Sequence, residues 1–238
     1  MGNAVIRLVL ADAGLSLVAA VAEPGAKSRG SDAGELAGVA RCGLPVTVLV
    51  AEAIAAKPKV AIDFTTPAAS VLNVAALASA GIPCVVGTTG FSDAQRARLR
   101  GASSKVAVLL APNMSAGANT LFELVQRAVE LLGPGYDCEI VETHHSGKKD
   151  APSGTALRLA EVVQASRGGR STPVQMHSLR MGDVVGEHRV SFAGTGEWIE
   201  LTHRALSRDA FARGALRAAR FVAGARSGFY TMRDAMKA

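Results

Sequence analysis

The sequence predicts an α/β protein: a doubly wound parallel sheet, joined to a second α+β domain whose sheet is mainly antiparallel. Three observations predict it. The first half alternates short, fully apolar, β-branched runs with helical stretches; the middle switches to alternating apolar and polar residues; the tail returns to one long helical pattern. With aromatics at only 4% and 25 glycines, the chain suits close-packed helix-on-sheet layers better than a sandwich built on aromatic stacking.

Four apolar runs are the expected parallel strands: Leu17–Val21, Val60–Phe64, Ile82–Val86 and Val106–Leu110. None shows the polar alternation of a half-exposed strand, which fits burial on both faces. The closing residues turn the chain: Ala-Glu-Pro-Gly, Thr-Thr-Pro, Gly-Thr-Thr-Gly and Ala-Pro-Asn. Helices are expected at Ser70–Ala80, stopped by Gly81, and from a capping box at Ser92–Gln95 to Arg100. Ligands of such sheets gather beyond the carboxyl ends of the strands, so the four turns are expected to line one crevice.

After Asn113 the pattern changes. Asn119–Leu132 reads as a helix stopped by Gly-Pro-Gly, Cys138–Thr143 as a strand, and residues 153–166 as a helix. Val174–Leu179, Val184–Ala193 and Trp198–His203 read as antiparallel strands joined by Met-Gly-Asp and Gly-Thr-Gly turns. Asp209–Ala223 is a last helix, expected to return over the first domain. The expected domains are therefore 1–113 plus 207–238, and 114–206.

Composition excludes several classes. At 238 residues and 49% hydrophobic content the chain has ample core material. Cys42, Cys84 and Cys138 are an odd number without C-x-x-C spacing, which reads as buried thiols in a reducing compartment. No uninterrupted apolar run is long enough for a membrane span, and the N-terminus lacks the basic region and cleavage site of a signal peptide. Met1-Gly2 does not begin a myristoylation signal, because Ile6 stands where Ser or Thr is needed. The net charge of +6 is scattered, through Arg96, Arg98 and Arg100 and along Arg208, Arg213, Arg217 and Arg220. There is no basic stripe with a groove-reading motif, so no nucleic-acid partner is expected; a positive field that draws in small anions is.

Residues 142–156 carry the most chemistry. They gather His144, His145, Lys148, Lys149, an Asp-Ala-Pro turn and a Ser-Gly-Thr helix start. Neighbouring residues of a strand face opposite ways, so only one histidine can meet a given ligand, and no metal site is expected. A surface His-His with two solvated lysines remains an alternative on pattern alone. The Pro-Ser-Gly-Thr start shifts the balance, because it leaves N–H groups at a positive helix end, suited to a carboxylate.

The 142–156 run closely resembles the signature of the dihydrodipicolinate reductase family, and the resemblance extends in order along nearly the whole chain. It is carried also by Val21-Ala-Glu23, Ser31–Ala37, Asp63–Pro67, Gly87–Phe91, Ala111–Gly117, Leu179–His188 and Glu200–Ala205. The resemblance implies a Rossmann-like first domain that binds NADH or NADPH and a second domain for substrate binding and oligomerisation. It implies His144 as the acid/base residue and Lys148 as the proton donor. His145, Gly154 and Thr155 would hold the carboxylates of a cyclic dicarboxylate. Glu23 would bind the adenosine ribose. Gly87, Thr88, Thr89, Ala111, Pro112, Asn113 and Met114 would cradle the nicotinamide and its ribose. A cytoplasmic homotetramer in lysine and diaminopimelate biosynthesis is implied as well.

Where the family often has arginine after the ribose-binding acid, this chain has Pro24, so NADH is expected to be preferred or at least not disfavoured; Lys27 or Arg29 could substitute. His177, His188 and His203 are expected to be core or interface residues. The family begins with a strand and a glycine-rich turn ending Gly-Arg-Met-Gly, whereas this chain opens on Met1-Gly2 and then a helix. The first strand is therefore expected to be missing, through a start codon assigned downstream, with weak dinucleotide binding as the consequence. Two rival readings stay open here: an impaired homologue that binds substrate or oligomerises without turnover, and another Rossmann-type reductase of amino or imino acids.

Overall fold

Burial on both faces turns the apolar runs of the first half into strands. The computed structural model describes residues 1–168 and 173–238, which form two compact units, Met1–Met114 with Phe211–Ala238 and Ser115–Ala210. In chain order the first unit holds α1 (Gly2–Leu10), α2 (Ala33–Leu36), α3 (Val50–Ala55), β1 (Ala61–Asp63), α4 (Pro67–Ser79), β2 (Cys84–Val86), α5 (Asp93–Ala102) and β3 (Ala107–Leu110). The second follows with α6 (Ala116–Leu132), a short 3₁₀ turn, β4 (Asp137–His144), α7 (Gly154–Ser166), β5 (Gln175–Arg180), β6 (Gly186–Gly194) and β7 (Glu197–Ala205). The chain ends with α8 (Asp209–Gly224), β8 (Gly228–Tyr230) and α9 (Met232–Lys237).

In the first unit β1, β2, β3 and β8 lie side by side in that order, all parallel. Side chains alternate between two cores. Val85, Ala107 and Leu109 pack with Val5 and Val9 of α1 and Ala215, Leu216 and Ala219 of α8. Cys84, Val86 and Val108 pack with Val74 and Leu77 of α4 and Leu99 of α5. Helices thus cover both faces, which is the double winding that the sequence predicts. Burial raises the Cys84 thiol to about 12 and that of Cys138 to about 11, so neither thiol is a nucleophile at neutral pH.

The helix ends follow their sequence signals. Thr66 caps α4 ahead of Pro67. At its other end Gly81 takes φ +73°, and the Gly81 and Ile82 amides donate back to the Ala78 and Leu77 carbonyls. Both arms of the Ser92–Gln95 capping box are made. One expectation fails in this unit. Leu17–Val21 is no ladder strand; it makes a single bridge, Val21 to Thr47. Among the described residues no strand lies alongside it, and without a neighbour its backbone groups cannot form a ladder.

In the second unit the order is β5-β4-β6-β7. Ile140, Val190 and Phe192 face Leu121 and Val125 of α6 and Leu159 and Val163 of α7. The Gly-Thr-Gly hairpin joins β6 to β7 antiparallel, as expected. The Met-Gly-Asp segment does not make a hairpin: β5 runs parallel to β4, on the opposite side from β6. The reason is local. Met181 donates to the His144 carbonyl and Ser146 to the Gly182 carbonyl, so the chain crosses the end of β4 instead of turning back beside β5.

Candidate active site

Two groups of candidate site residues stand out, one in each unit, and each is organised by a buried carboxylate. In the second unit the alternation of β4 sends Ile140, Glu142 and His144 towards the covered face. Glu142 is wholly buried and His144 nearly so. His144 Nδ1 donates to Glu142 Oε2, while Glu142 Oε1 accepts from Arg180 Nη2 at 2.8 Å and from the Ser153 amide at 3.3 Å. Burial alone would raise the Glu142 pKa, but hydrogen bonds from Arg180, Ser178 and His144 outweigh it and hold the carboxyl at about 2. Burial lowers His144 below the usual imidazole value in spite of the opposing pull of Glu142. Arg180 is therefore the permanent cation beside Glu142, and burial favours the neutral form of His144.

Beyond β4 the chain turns through residues 145–152 into α7. Lys148 Nζ lies 2.8 Å from Asp150 Oδ1, close enough to His144 for its charge to lower the imidazole's proton affinity. Arg180 Nη2 also donates to the Asp150 carbonyl at 2.7 Å, fixing this turn to the end of β5. Ser153 caps α7 by accepting from the Ala156 amide, and its hydroxyl lies 3.1 Å from His188 Nε2. Gly154 and Thr155 form the first helical turn, and the space in front of the Gly154 α-carbon is open. Burial drives His188 down to about 3, and its ring meets that of His144 edge-on at 5.2 Å.

In the first unit the parallel register sets Asp63 beside Val86 and Val86 beside Leu110, so three turns emerge at one sheet edge. The buried Asp63 Oδ1 accepts from the Thr65 amide at 2.9 Å, from the Thr65 and Ser70 hydroxyls at 2.7 Å each and from Thr88 Oγ1 at 3.2 Å; Oδ2 accepts from Asn73 at 2.8 Å. A Cβ at Gly87 would stand 2.1 Å from the Phe64 ring, so a larger residue there requires that ring to move. Thr89 and Pro112 are exposed, while Thr88, Ala111, Asn113 and Met114 are buried. Glu23 is exposed in the turn after Val21.

Comparison with known proteins agrees with this architecture. Residues 1–114 match the family described as dihydrodipicolinate reductase, N-terminus, and residues 117–236 the corresponding C-terminus. A 4-hydroxy-tetrahydrodipicolinate reductase of Rubrobacter xylanophilus is 47% identical over 99% of this chain and 94% of its own length. One from Thiobacillus denitrificans is 45% identical with the same coverage. The chain belongs to the dihydrodipicolinate reductase family. A solved structure of the family, a dipicolinate-bound reductase from Paenisporosarcina sp. TG-14, shares the fold at a TM-score of 0.80, with 24% identity over 98% of this chain and 94% of that one.

The residues implied by the family resemblance fall into two sets. His144, His145, Lys148, Gly154 and Thr155 all lie where β4 passes into α7. Gly87 to Thr89 and Ala111 to Met114 follow β2 and β3. Glu23 is not held beside them by any sheet ladder, since its strand does not form. The Thr88 hydroxyl is engaged by Asp63 and Ser70, which leaves its backbone as the part that can meet a dinucleotide. Glu142, Arg180 and Asp63 were not singled out from the sequence. Glu142 was within reach, because it shares a strand face with His144 two residues on. Arg180 was not, because it arrives from a strand whose register no local pattern reveals.

Proposed function

We propose that this chain reduces 4-hydroxy-tetrahydrodipicolinate to tetrahydrodipicolinate in lysine and diaminopimelate biosynthesis, with NADH or NADPH as the reductant. The observation that carries this reading is the convergence, at the end of β4, of a buried imidazole, an ammonium held by Asp150 and the N-terminal turn of α7. The 47% identity to a relative named for this reaction supports it.

A doubly wound sheet with three turns at the carboxyl edge of β1, β2 and β3 fits a dinucleotide. Thr88 is pinned from below while Thr89 stays exposed, so the turn offers backbone to a ligand from a fixed base. A reduced nicotinamide supplies the hydride when bound. Gly87, Thr88, Thr89, Ala111, Pro112, Asn113 and Met114 would hold it, with Glu23 on the adenosine ribose; Pro24 favours NADH.

The substrate carboxylates meet the first turn of α7 at Gly154 and Thr155, at the positive end of the helix dipole, and His145 beside them. Loss of the 4-hydroxyl as water gives a conjugated imine, and hydride addition to it leaves negative charge that must be stabilised and protonated. Lys148 gives the proton, and Asp150 aims its ammonium. His144, its neutral form favoured by burial, exchanges protons through the nitrogen turned away from Glu142. The second unit also carries the assembly surface of a homotetramer, on the sheet face not covered by α6 and α7, where Trp198 is exposed.

Turnover of the cyclic substrate with each dinucleotide tests the reading, with calorimetry for pyridine-2,6-dicarboxylate alongside. We expect uptake of the planar dicarboxylate, and kcat/KM with NADH at least equal to that with NADPH. A folded protein that takes up no dicarboxylate sinks the assignment, and a strong NADPH preference sinks the role given to Pro24.

A further inference from the structure

Glu142 and Arg180 have no part in the reaction as described, yet both are held by several hydrogen bonds within the second unit. Glu142 has no solvent exposure, and donors from three elements converge on it: His144 of β4, Arg180 of β5 and the Ser153 amide ahead of α7. Arg180 in turn donates from Nη1 to the Leu179 carbonyl at 2.7 Å and from Nη2 to both Glu142 and Asp150. We propose that Glu142 and Arg180 are a positioning pair for the two proton-carrying groups: Glu142 holds His144 in its Nδ1–H tautomer so that Nε2 meets the substrate, and Arg180 orients Glu142 and the turn that carries Lys148. This deepens the acid/base role of His144 proposed above and rests on it.

The tautomer follows from the donor inventory. An ionised carboxylate has no hydrogen to give, so the hydrogen shared with His144 must sit on Nδ1. Nε2 then carries the lone pair in the neutral ring. It faces the position that a side chain on Gly186 would fill, since a Cβ there would lie 3.1 Å from Nε2. The guanidinium stays charged and presents donors in a fixed fork, so the carboxylate cannot swing without abandoning it. Through the Asp150 carbonyl the same fork fixes the turn from which Asp150 pairs with Lys148. One arginine thereby ties both proton-carrying groups to the ends of β4 and β5.

The charged and titratable groups facing His144 are Glu142 on its own strand, Lys148 and Asp150 on the following turn, Arg180 on β5 and His188 on β6. Glu142 draws the imidazole's proton affinity up, whereas Lys148 and Arg180 push it down. The two members of the pair therefore act on His144 in opposite senses.

The experiment is nitrogen-15 NMR of the histidines in the labelled full-length chain, recorded without substrate, together with kcat and KM against pH. Wild type above neutral pH should show His144 as the Nδ1–H tautomer; an Nε2–H spectrum overturns the proposal without any variant. In Glu142→Gln the single side-chain carbonyl should stay with Arg180 and Ser153, turning the amide nitrogen towards His144. His144 should then switch to Nε2–H and titrate lower, and kcat should fall about 10- to 100-fold with little change in KM. In Arg180→Met the His144 titration should move upward. Equal or same-direction shifts in the two variants overturn the proposal. Turnover by the wild-type chain tests the reductase reading separately, because the spectra need no substrate.

Discussion

The two units solve the same local problem with different materials, and the difference separates scaffolding from proton handling. Each buries one carboxylate at or near the carboxyl end of a strand, Asp63 on β1 and Glu142 on β4. Every side chain that donates to Asp63 is neutral: two threonines, a serine and an asparagine. Such a cluster fixes the shape of the turn at residues 87–90 and has nothing to titrate besides the acid itself. Glu142 is met by an arginine and an imidazole. That arrangement fixes a shape as well, but it also bears on the proton affinity of His144, the group proposed to face the substrate.

The sharpest way to break this comparison is to remove a proton-carrying group from the second unit and ask whether the first notices. Lys148→Ala should lower kcat on the cyclic dicarboxylate by about 10²- to 10⁴-fold, the usual contribution of general acid–base catalysis. Dinucleotide affinity, measured by calorimetry, should not change. Full activity in this variant would remove Lys148 from the mechanism. The converse change falls on Asp63. Asp63→Ala leaves the buried hydroxyls of Ser70 and Thr88 without their carboxylate acceptor and removes the partner of Thr65 and Asn73, at a cost of about 3 kcal/mol. A melting point lower by about 6–12 °C is expected, with a raised KM for the dinucleotide. A variant that melts normally would mean that the cluster does not fix the turn.

The contrast was only partly legible in the sequence. Val60–Phe64, Ile82–Val86 and Val106–Leu110 could be read as strands because burial on both faces leaves no polar residue in the run. The helix starts at Ser92 and Ser153 follow from side-chain caps that act within three residues, whereas α6 opens at a Ser115 cap ahead of the expected Asn119. His144, Lys148 and Gly154 fall within eleven consecutive positions, so the sequence brings them together before the fold does. Other features depend on distant partners. The strand β8 has only three residues and exists because β3 offers it a ladder, while Leu17–Val21 has the right composition and no such neighbour. Arg180 reaches Glu142 across 38 positions through the parallel register of β5 on β4, and the Met-Gly-Asp turn suggested the wrong pairing there.

A smaller effect sharpens the comparison through pH. His188 is buried beside His144, and its folded pKa of about 3 lies far below the unfolded value near 6.5. As pH falls below 6.5 the unfolded chain takes up the proton first, so stability declines towards pH 3. Between pH 7 and pH 5 this one group should remove about 2 kcal/mol. Glu142 adds to the loss only below about pH 4.5, where its unfolded form protonates while the folded carboxyl stays ionised down to about 2. Urea unfolding at pH 7 and pH 5 should show the decline in wild type and a shallower one in His188→Phe. An equal decline in both would mean that His188 is protonated in the folded protein.

The smallest expected effect comes from a second histidine–glutamate pair that begins on the same strand. Glu139 of β4 faces outward and meets His177 Nε2 at 3.0 Å, with more than half of each side chain exposed. The residue types match those of Glu142 and His144, but this pair is exposed, lacks Arg180, joins two strands and engages Nε2 instead of Nδ1. Water screens an exposed pair and competes for its hydrogen bonds, so such pairs contribute little. His177→Ala should therefore change stability by less than about 0.5 kcal/mol and leave both kcat and its pH profile where they were. A profile that moved with His177 would mean that proximity of imidazole to carboxylate on β4 matters by itself. An unchanged profile, beside a shifted one for Glu142→Gln, assigns the tuning of His144 to a buried carboxylate with its own permanent cation.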